Sequence, residues 1–261
     1  MESIRFNNYD VAYQTAGDPA NPCIVCLHPA FGNHHTFDDQ LKALSADYFL
    51  IAADMLGHGM TQPEKTNDKV DATIAQTKAI LDQYQVKSAH LLGVSLGSLI
   101  AQGFAHQYPQ RTKSVTVVGG YSIHKNNKGL MKTQNKAIFS WLFKVLFDMK
   151  GFRIYIAQQS TYLPKAYQRM LAYTQKITRK SFLYLQGMRK IFIENETPVP
   201  YPLLIVYGDH DLAIALEHGK EWAKIEPKAE LVIIENAGHC TNMEQPEAFN
   251  KVFKVFMEKN S

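Results

Sequence analysis

A serine held between two glycines, Gly93-Val94-Ser95-Leu96-Gly97, is the strongest chemical signal in this chain. An apolar strand-like run, His90-Leu91-Leu92, precedes it, and a helical pattern over residues 96–107 follows. That is the strand–turn–helix setting a G-x-S-x-G nucleophile elbow requires. The reason is steric. A sharp turn strains the serine backbone and exposes its hydroxyl, and small residues two places to either side let strand and helix approach. The same turn puts the Leu96 N–H at a helix N-terminus, where it can donate to an oxyanion.

A serine hydroxyl needs a base, and the base needs a group that orients it. Ten histidines compete. His239, in Ala237-Gly238-His239, falls between the last strand-like run and the final helical pattern. A parallel sheet presents such loops at its C-terminal edge, the edge that also carries Ser95. His28 and His58 follow strands but come too early in chain order. His34, His35, His106, His124 and His218 read as surface or inserted-segment residues, and His90 as structural. The acid is expected at the end of the penultimate strand, where Tyr207-Gly208-Asp209-His210-Asp211 offers two. Asp209 suits local capping of its own loop, so Asp211 is preferred. The other position, after the run 115–118, is neutral: Gly119-Gly120-Tyr121-Ser122. Phe31, Val94 and Tyr121 are the candidate substrate contacts.

The elements that must position these groups follow from periodicity. Residues 3–6 and 10–15 read as a hairpin around Asn7-Asn8. Continuous apolar runs at 23–27, 49–53, 90–92, 114–118, 203–207 and 231–234 read as strands buried on both faces. Helical patterns fall at 71–84, 96–107, 217–224 and 247–258. Strands alternating with helices argue for an α/β fold, a mostly parallel sheet with helices on both faces. Cys23 and Cys26 have CxxC spacing but lie within one strand, on opposite faces. With Cys240 they read as buried thiols rather than a redox or metal pair.

The alternation stops near Tyr121 and resumes near Pro202. Residues 1–121 and 202–261 therefore form the expected core, with 122–201 a helical lid. The lid is expected to break near Lys150-Gly151, Leu163-Pro164 and Gly187. Residues 122–195 carry 14 Lys or Arg against two acids, Asp148 and Glu194, whereas the whole chain is only +4. The segment is also rich in large apolar groups, among them Trp141, Leu142, Phe143, Phe147 and Phe152. One reading is amphipathic helices with solvated cations. The other is recruitment of an anionic ester or an acidic carrier protein. No nucleic-acid module is recognisable. No apolar run is long enough to span a membrane, and the first residues lack a secretory pattern, so a cytoplasmic protein is expected.

Four segments together resemble the α/β-hydrolase superfamily over essentially the whole chain. They are Leu27-His28-Pro29-Ala30-Phe31-Gly32, Asp54-Met55-Leu56-Gly57-His58-Gly59, the elbow, and Gly238-His239-Cys240-Thr241-Asn242-Met243-Glu244-Gln245-Pro246. The order Ser95, Asp211, His239 is that of these enzymes. The resemblance implies Ala30 as the second oxyanion donor beside Leu96, and a structural role for residues 54–59. His28-Pro29 departs from the usual His-Gly, and proline has no N–H to donate. Within the superfamily the chain is similar to lidded carboxylesterases, including pimeloyl-carrier-protein methyl ester esterases. The expectation is a serine esterase acting on a small-molecule ester, with no metal or organic cofactor. Alternatives are a C–C bond hydrolase, thioesterase or haloperoxidase with the same triad, or a slow-turnover ligand receptor.

Overall fold

The computed structural model of the chain describes residues 1–124, 141, 144–193 and 198–261. Leu142, Phe143 and Glu194 lie outside the described residues. β1 (Glu2–Phe6) and β2 (Tyr9–Ala16) form the hairpin, with Asn7 at φ 50° in its turn. The parallel strands are β3 (Cys23–Leu27), β4 (Phe49–Ala53), β5 (Ala89–Val94), β6 (Thr112–Val118), β7 (Leu203–Gly208) and β8 (Ala229–Ile234). The sheet order is β1-β2-β4-β3-β5-β6-β7-β8, with β2 antiparallel to β4.

Five of the six continuous apolar runs sit on strands covered on both faces; the sixth, 231–234, lies on the edge strand β8, where Leu231 and Val232 are half-buried and Ile233 is exposed because no further strand flanks it. All residues of β3, β4 and β5 are buried. Alternate residues of β3 enter different cores: Cys23, Val25 and Leu27 one, Ile24 and Cys26 the other. Burial raises both thiols, Cys23 to about 12, so they behave as small apolar groups. The first core is closed by α2 (Thr73–Gln83), α3 (Leu96–Gln107) and Trp222 from the helix Ala213–Ile225. The second is closed by α1 (Asp38–Leu44) and the C-terminal helix Pro246–Lys259, through Phe249, Phe253 and Phe256. The sequence pattern missed α1, a single short stretch of helix rich in polar residues.

Between β6 and β7 the described residues include α4 (Met149–Ser160), α5 (Pro164–Thr174) and α6 (Arg179–Tyr184). Pro164 opens α5, as its missing N–H allows. The break expected at Lys150-Gly151 is displaced. The Asp148 carboxylate accepts the Gly151 N–H at 2.8 Å, so the helix begins at Met149 and runs through both residues. Gly187 likewise lies inside a 3₁₀ turn, Leu185–Lys190. The remaining helices are α7 (Ala213–Ile225), α8 (Thr241–Glu244) and α9 (Pro246–Lys259). No helix among the described residues is long and apolar enough to cross a membrane.

Phe253 is fully buried on the core-facing side of α9. Phe253→Ala is expected to cost about 3–5 kcal/mol through lost transfer energy and an unfilled cavity. Equilibrium urea unfolding checks this, as a lower midpoint at unchanged slope.

Candidate active site

Ser95 is the hinge between β5 and α3, at φ 51° and ψ −114°. A non-glycine residue held there stores on the order of 1–3 kcal/mol of strain. Three hydrogen bonds hold it. Its N–H donates to the Val118 carbonyl at 2.8 Å, and its carbonyl accepts from Ser98 N–H at 2.9 Å and Ser98 Oγ at 2.6 Å. Close approach does the rest. A Cβ on Gly97 would lie 1.9 Å from the Leu27 carbonyl oxygen, so α3 meets β3 only because position 97 has no side chain. Ser95 is half-buried and, at the N-cap of α3, makes no side-chain capping hydrogen bond.

His239 and Asp211 come from loops after β8 and β7. His239 Nδ1 lies 3.0 Å from Asp211 Oδ1 and 3.2 Å from Oδ2. A carboxylate only accepts, so Nδ1 carries the proton and Nε2 keeps its lone pair. The Asp211 side chain is fully buried, whereas that of His239 is 19% exposed. Asp211 is further held by the Leu212 N–H at 2.7 Å. Burial pushes the His239 imidazole pKa down, but the Asp211 charge and hydrogen bond outweigh it, leaving His239 above its ordinary value. Asp209 is exposed and faces elsewhere, accepting from Ala237 N–H at 3.1 Å and pairing with His210 at 2.7 Å.

Gly119 connects the two halves. It follows Val118, which holds the Ser95 N–H, and has φ +60°. A Cβ there would lie 2.7 Å from His239 Nδ1. The imidazole therefore rests on the end of β6 to which Ser95 is bonded.

The loop after β3 is a tight turn, closed by Gly32 N–H on the Pro29 carbonyl at 3.0 Å, with Phe31 at φ 66°. Proline serves here through its carbonyl, which also accepts from His28 Nδ1 at 2.7 Å. His28 Nε2 accepts the Met55 N–H at 3.0 Å. These two contacts define the neutral tautomer, and burial lowers the His28 pKa to about 3. His28 thus ties the turn to the 54–59 loop. The N–H groups of Ala30 and Leu96 have no acceptor among the described residues.

The three candidate substrate contacts are placed differently. Phe31 is buried, its ring 5.0 Å from Phe152 and 5.9 Å from Trp141, which roof the turn. Val94 is wholly inside the second core. Tyr121 is half-buried and stacks on Phe192 at 6.0 Å. His34 is not a surface residue: it is buried, with Nδ1 2.9 Å from Asp54 Oδ1. His124 is buried as well, 5.6 Å from the His106 ring.

Glu244 was visible only as a letter in the last motif. It is a buried carboxylate that accepts N–H bonds from Gly238, Tyr162 and Leu163, each at 2.6 Å. The signal that could have found it is an acid five residues after the candidate base, within the motif that carries the histidine. Many cations of the inserted segment also have internal partners. Arg153, Arg179 and Lys180 donate to backbone carbonyls, and Arg169 and Lys190 pair with Asp39 and Asp71. Among the described residues no group of three His, Cys, Asp or Glu comes together as metal ligands would.

Comparison with known proteins bears on this arrangement. Residues 22–142 match the model of a family described as alpha/beta hydrolase fold. Lipase 1 of Psychrobacter immobilis is 25% identical over 94% of this chain and 80% of its own. The dihydrolipoyllysine-residue acetyltransferase component of the acetoin cleaving system of Pseudomonas putida is 22% identical over 95% of this chain, which spans 66% of that protein. A thermophilic esterase from Thermogutta terrifontis, solved with malate bound, superposes with a TM-score of 0.86 at 15% identity and covers both chains fully.

Asp211→Asn is expected to lower the His239 pKa, because the carboxylate that stabilises the imidazolium is gone. Asp209→Asn is expected to leave it in place. Titration of the ¹⁵N-labelled imidazole by NMR separates the two carboxylates.

Proposed function

The chain has the α/β-hydrolase fold, and on that premise we propose that it is a serine hydrolase cleaving a small carboxylic ester through an acyl-enzyme. The observation that carries this reading is the Asp211–His239 pair, assembled from two loops against the strand end that holds Ser95. The esterase and lipase among its relatives support the ester as substrate class.

Ser95 Oγ attacks the ester carbonyl carbon as His239 Nε2 takes its proton. The carbonyl π electrons move onto oxygen, and the N–H groups of Ala30 and Leu96 receive that oxyanion. Asp211 keeps the proton on Nδ1 before the attack and stabilises the imidazolium after it. Collapse of the tetrahedral species breaks the bond to the alcohol, which leaves with the proton from Nε2. Water then attacks the acyl-enzyme with His239 again as base, releasing the acid and restoring Ser95.

Residues 122–201 act as the lid in this reading. The aromatic roof of Trp141 and Phe152 over Phe31 supplies an apolar, water-poor ceiling above the Ala30 turn. Because many of its cations serve carbonyls and acids of the chain itself, we assign substrate choice to this ceiling rather than to charge. Matched neutral and anionic p-nitrophenyl esters are accordingly expected to show the same salt dependence of kcat/KM. A steeper fall for the anionic ester would restore an electrostatic role.

Ser95→Ala is expected to lower ester turnover by about 10⁴-fold or more with folding intact. It is also expected to abolish covalent labelling by a phosphonate. Wild-type ester hydrolysis by this variant would remove the assignment.

A further inference from the structure

Glu244 lies at the meeting of three segments. It ends α8, one turn past His239. Its Oε2 accepts the N–H of Gly238, the residue before His239, at 2.6 Å. Its Oε1 accepts the N–H groups of Tyr162 and Leu163, both at 2.6 Å, from the strap joining α4 to α5. The C-terminal end of α4, from which the strap leaves, is joined to the histidine loop by Cys240 N–H on the Ser160 carbonyl at 3.0 Å. The strap also reaches the acid loop, where the Tyr162 ring stacks on His210 at 3.7 Å, next to Asp211.

A buried carboxylate is costly unless every lone pair is served. Here three N–H donors face it and the residue is 6% exposed. An apolar side chain in that space would leave the N–H groups of Gly238, Tyr162 and Leu163 without an acceptor, and a charge beside the base calls for a reason beyond filling space. Its position supplies one. The two loops that carry the base and the acid both touch the strap, and Glu244 is the charged group that clamps strap and base loop together.

We propose that Glu244 is a positioning residue for His239, clamping the turn that carries the imidazole to the strap between α4 and α5. This rests on the reading of His239 as the base. The carboxylate acts in two ways. It sets the height of the 238–240 turn over Gly119, and its negative charge favours the imidazolium formed when His239 takes a proton. Among the described residues, the titratable groups near the imidazole include Asp211 on the β7 loop, Cys240 beside it in the chain, and, on the far side of Asp211, Tyr207 of β7. The Tyr207 hydroxyl donates to the Gly120 carbonyl. Burial raises the Cys240 thiol well above its ordinary value and raises Tyr207 as well, leaving both neutral. Burial also raises the Glu244 carboxyl, opposed by its N–H donors, and Glu244 is among the charges that raise His239.

The test is Glu244→Gln, which keeps the shape but removes the charge and turns an –NH₂ toward a backbone N–H. The expected result is a kcat about 10- to 100-fold lower, with KM little changed. The acid limb of kcat/KM and the NMR titration of His239 both move to lower pH. Glu244→Asp keeps the charge and shortens the reach. It is expected to lose kcat while holding the acid limb near wild type. Wild-type kcat and an unmoved His239 titration in Glu244→Gln would overturn the proposal. If circular dichroism shows Glu244→Gln unfolded, Glu244→Asp decides alone: lowered kcat at an unchanged melting temperature supports the clamp, and wild-type kcat overturns it. The NMR titration reads His239 without substrate. A silent Glu244→Gln alongside an inactive Ser95→Ala therefore removes only the clamp, whereas an active Ser95→Ala removes the underlying reading.

Discussion

The N-terminus of α3 lies against the end of β3 so closely that a methyl group on Gly97 would sit 1.9 Å from the Leu27 carbonyl oxygen. The turn that leads into that helix has no room to relax, and Ser95 takes up the difference in its own backbone, at φ 51°. Three features depend on the contact. Ser95 sits half-buried at the hinge between β5 and α3. The Leu96 N–H is left at the open start of a helix. The chain leaving β3 passes directly beside the elbow, which brings the Ala30 turn to it. Without the close crossing these would be three unrelated loops.

Buried carboxylates organise the rest of that edge. Asp54 accepts from the His34 N–H at 2.8 Å and the Met60 N–H at 2.7 Å. Asp211 takes His239 and Leu212, and Glu244 takes Gly238, Tyr162 and Leu163. Each gathers donors from segments far apart in the chain or across a turn. A buried charge with an unserved lone pair is expensive, so each network is satisfied fully or not at all. Loops that would otherwise sample many conformations are thereby pinned around the serine.

Five described cations of the inserted segment, Arg153, Arg169, Arg179, Lys180 and Lys190, have a similar internal use. Arg153 and Arg179 serve the carbonyls of Ile177, Val145 and Leu146, and Arg169 reaches Asp39 at the start of α1. Cations that complete carbonyls at helix ends hold the inserted helices to one another and to the core. The bare count of charge along the chain had left open whether these groups faced a partner.

Local pattern alone made the parallel strands, the elbow and the chain order of the reactive groups legible, because strand and helix periodicity, turn chemistry and motif spacing are properties of neighbours in sequence. It misplaced the start of α4, where one capping carboxylate outweighed a glycine, and it passed over α1. It ranked Asp211 above Asp209 as the partner of His239, but the contact itself is made in space, between residues 28 apart in the chain. That pairing, the burial of His34, and the triple hydrogen bond to Glu244 were decided by tertiary structure. Each needs two loops to meet in space, and the length and direction of a loop are not encoded in the residues that meet at its end. The Ser95 motif was visible from the start, while the hydrogen bonds to Val118 and Ser98 and the close passage of β3 beside Gly97, which hold the elbow, came only with the tertiary structure.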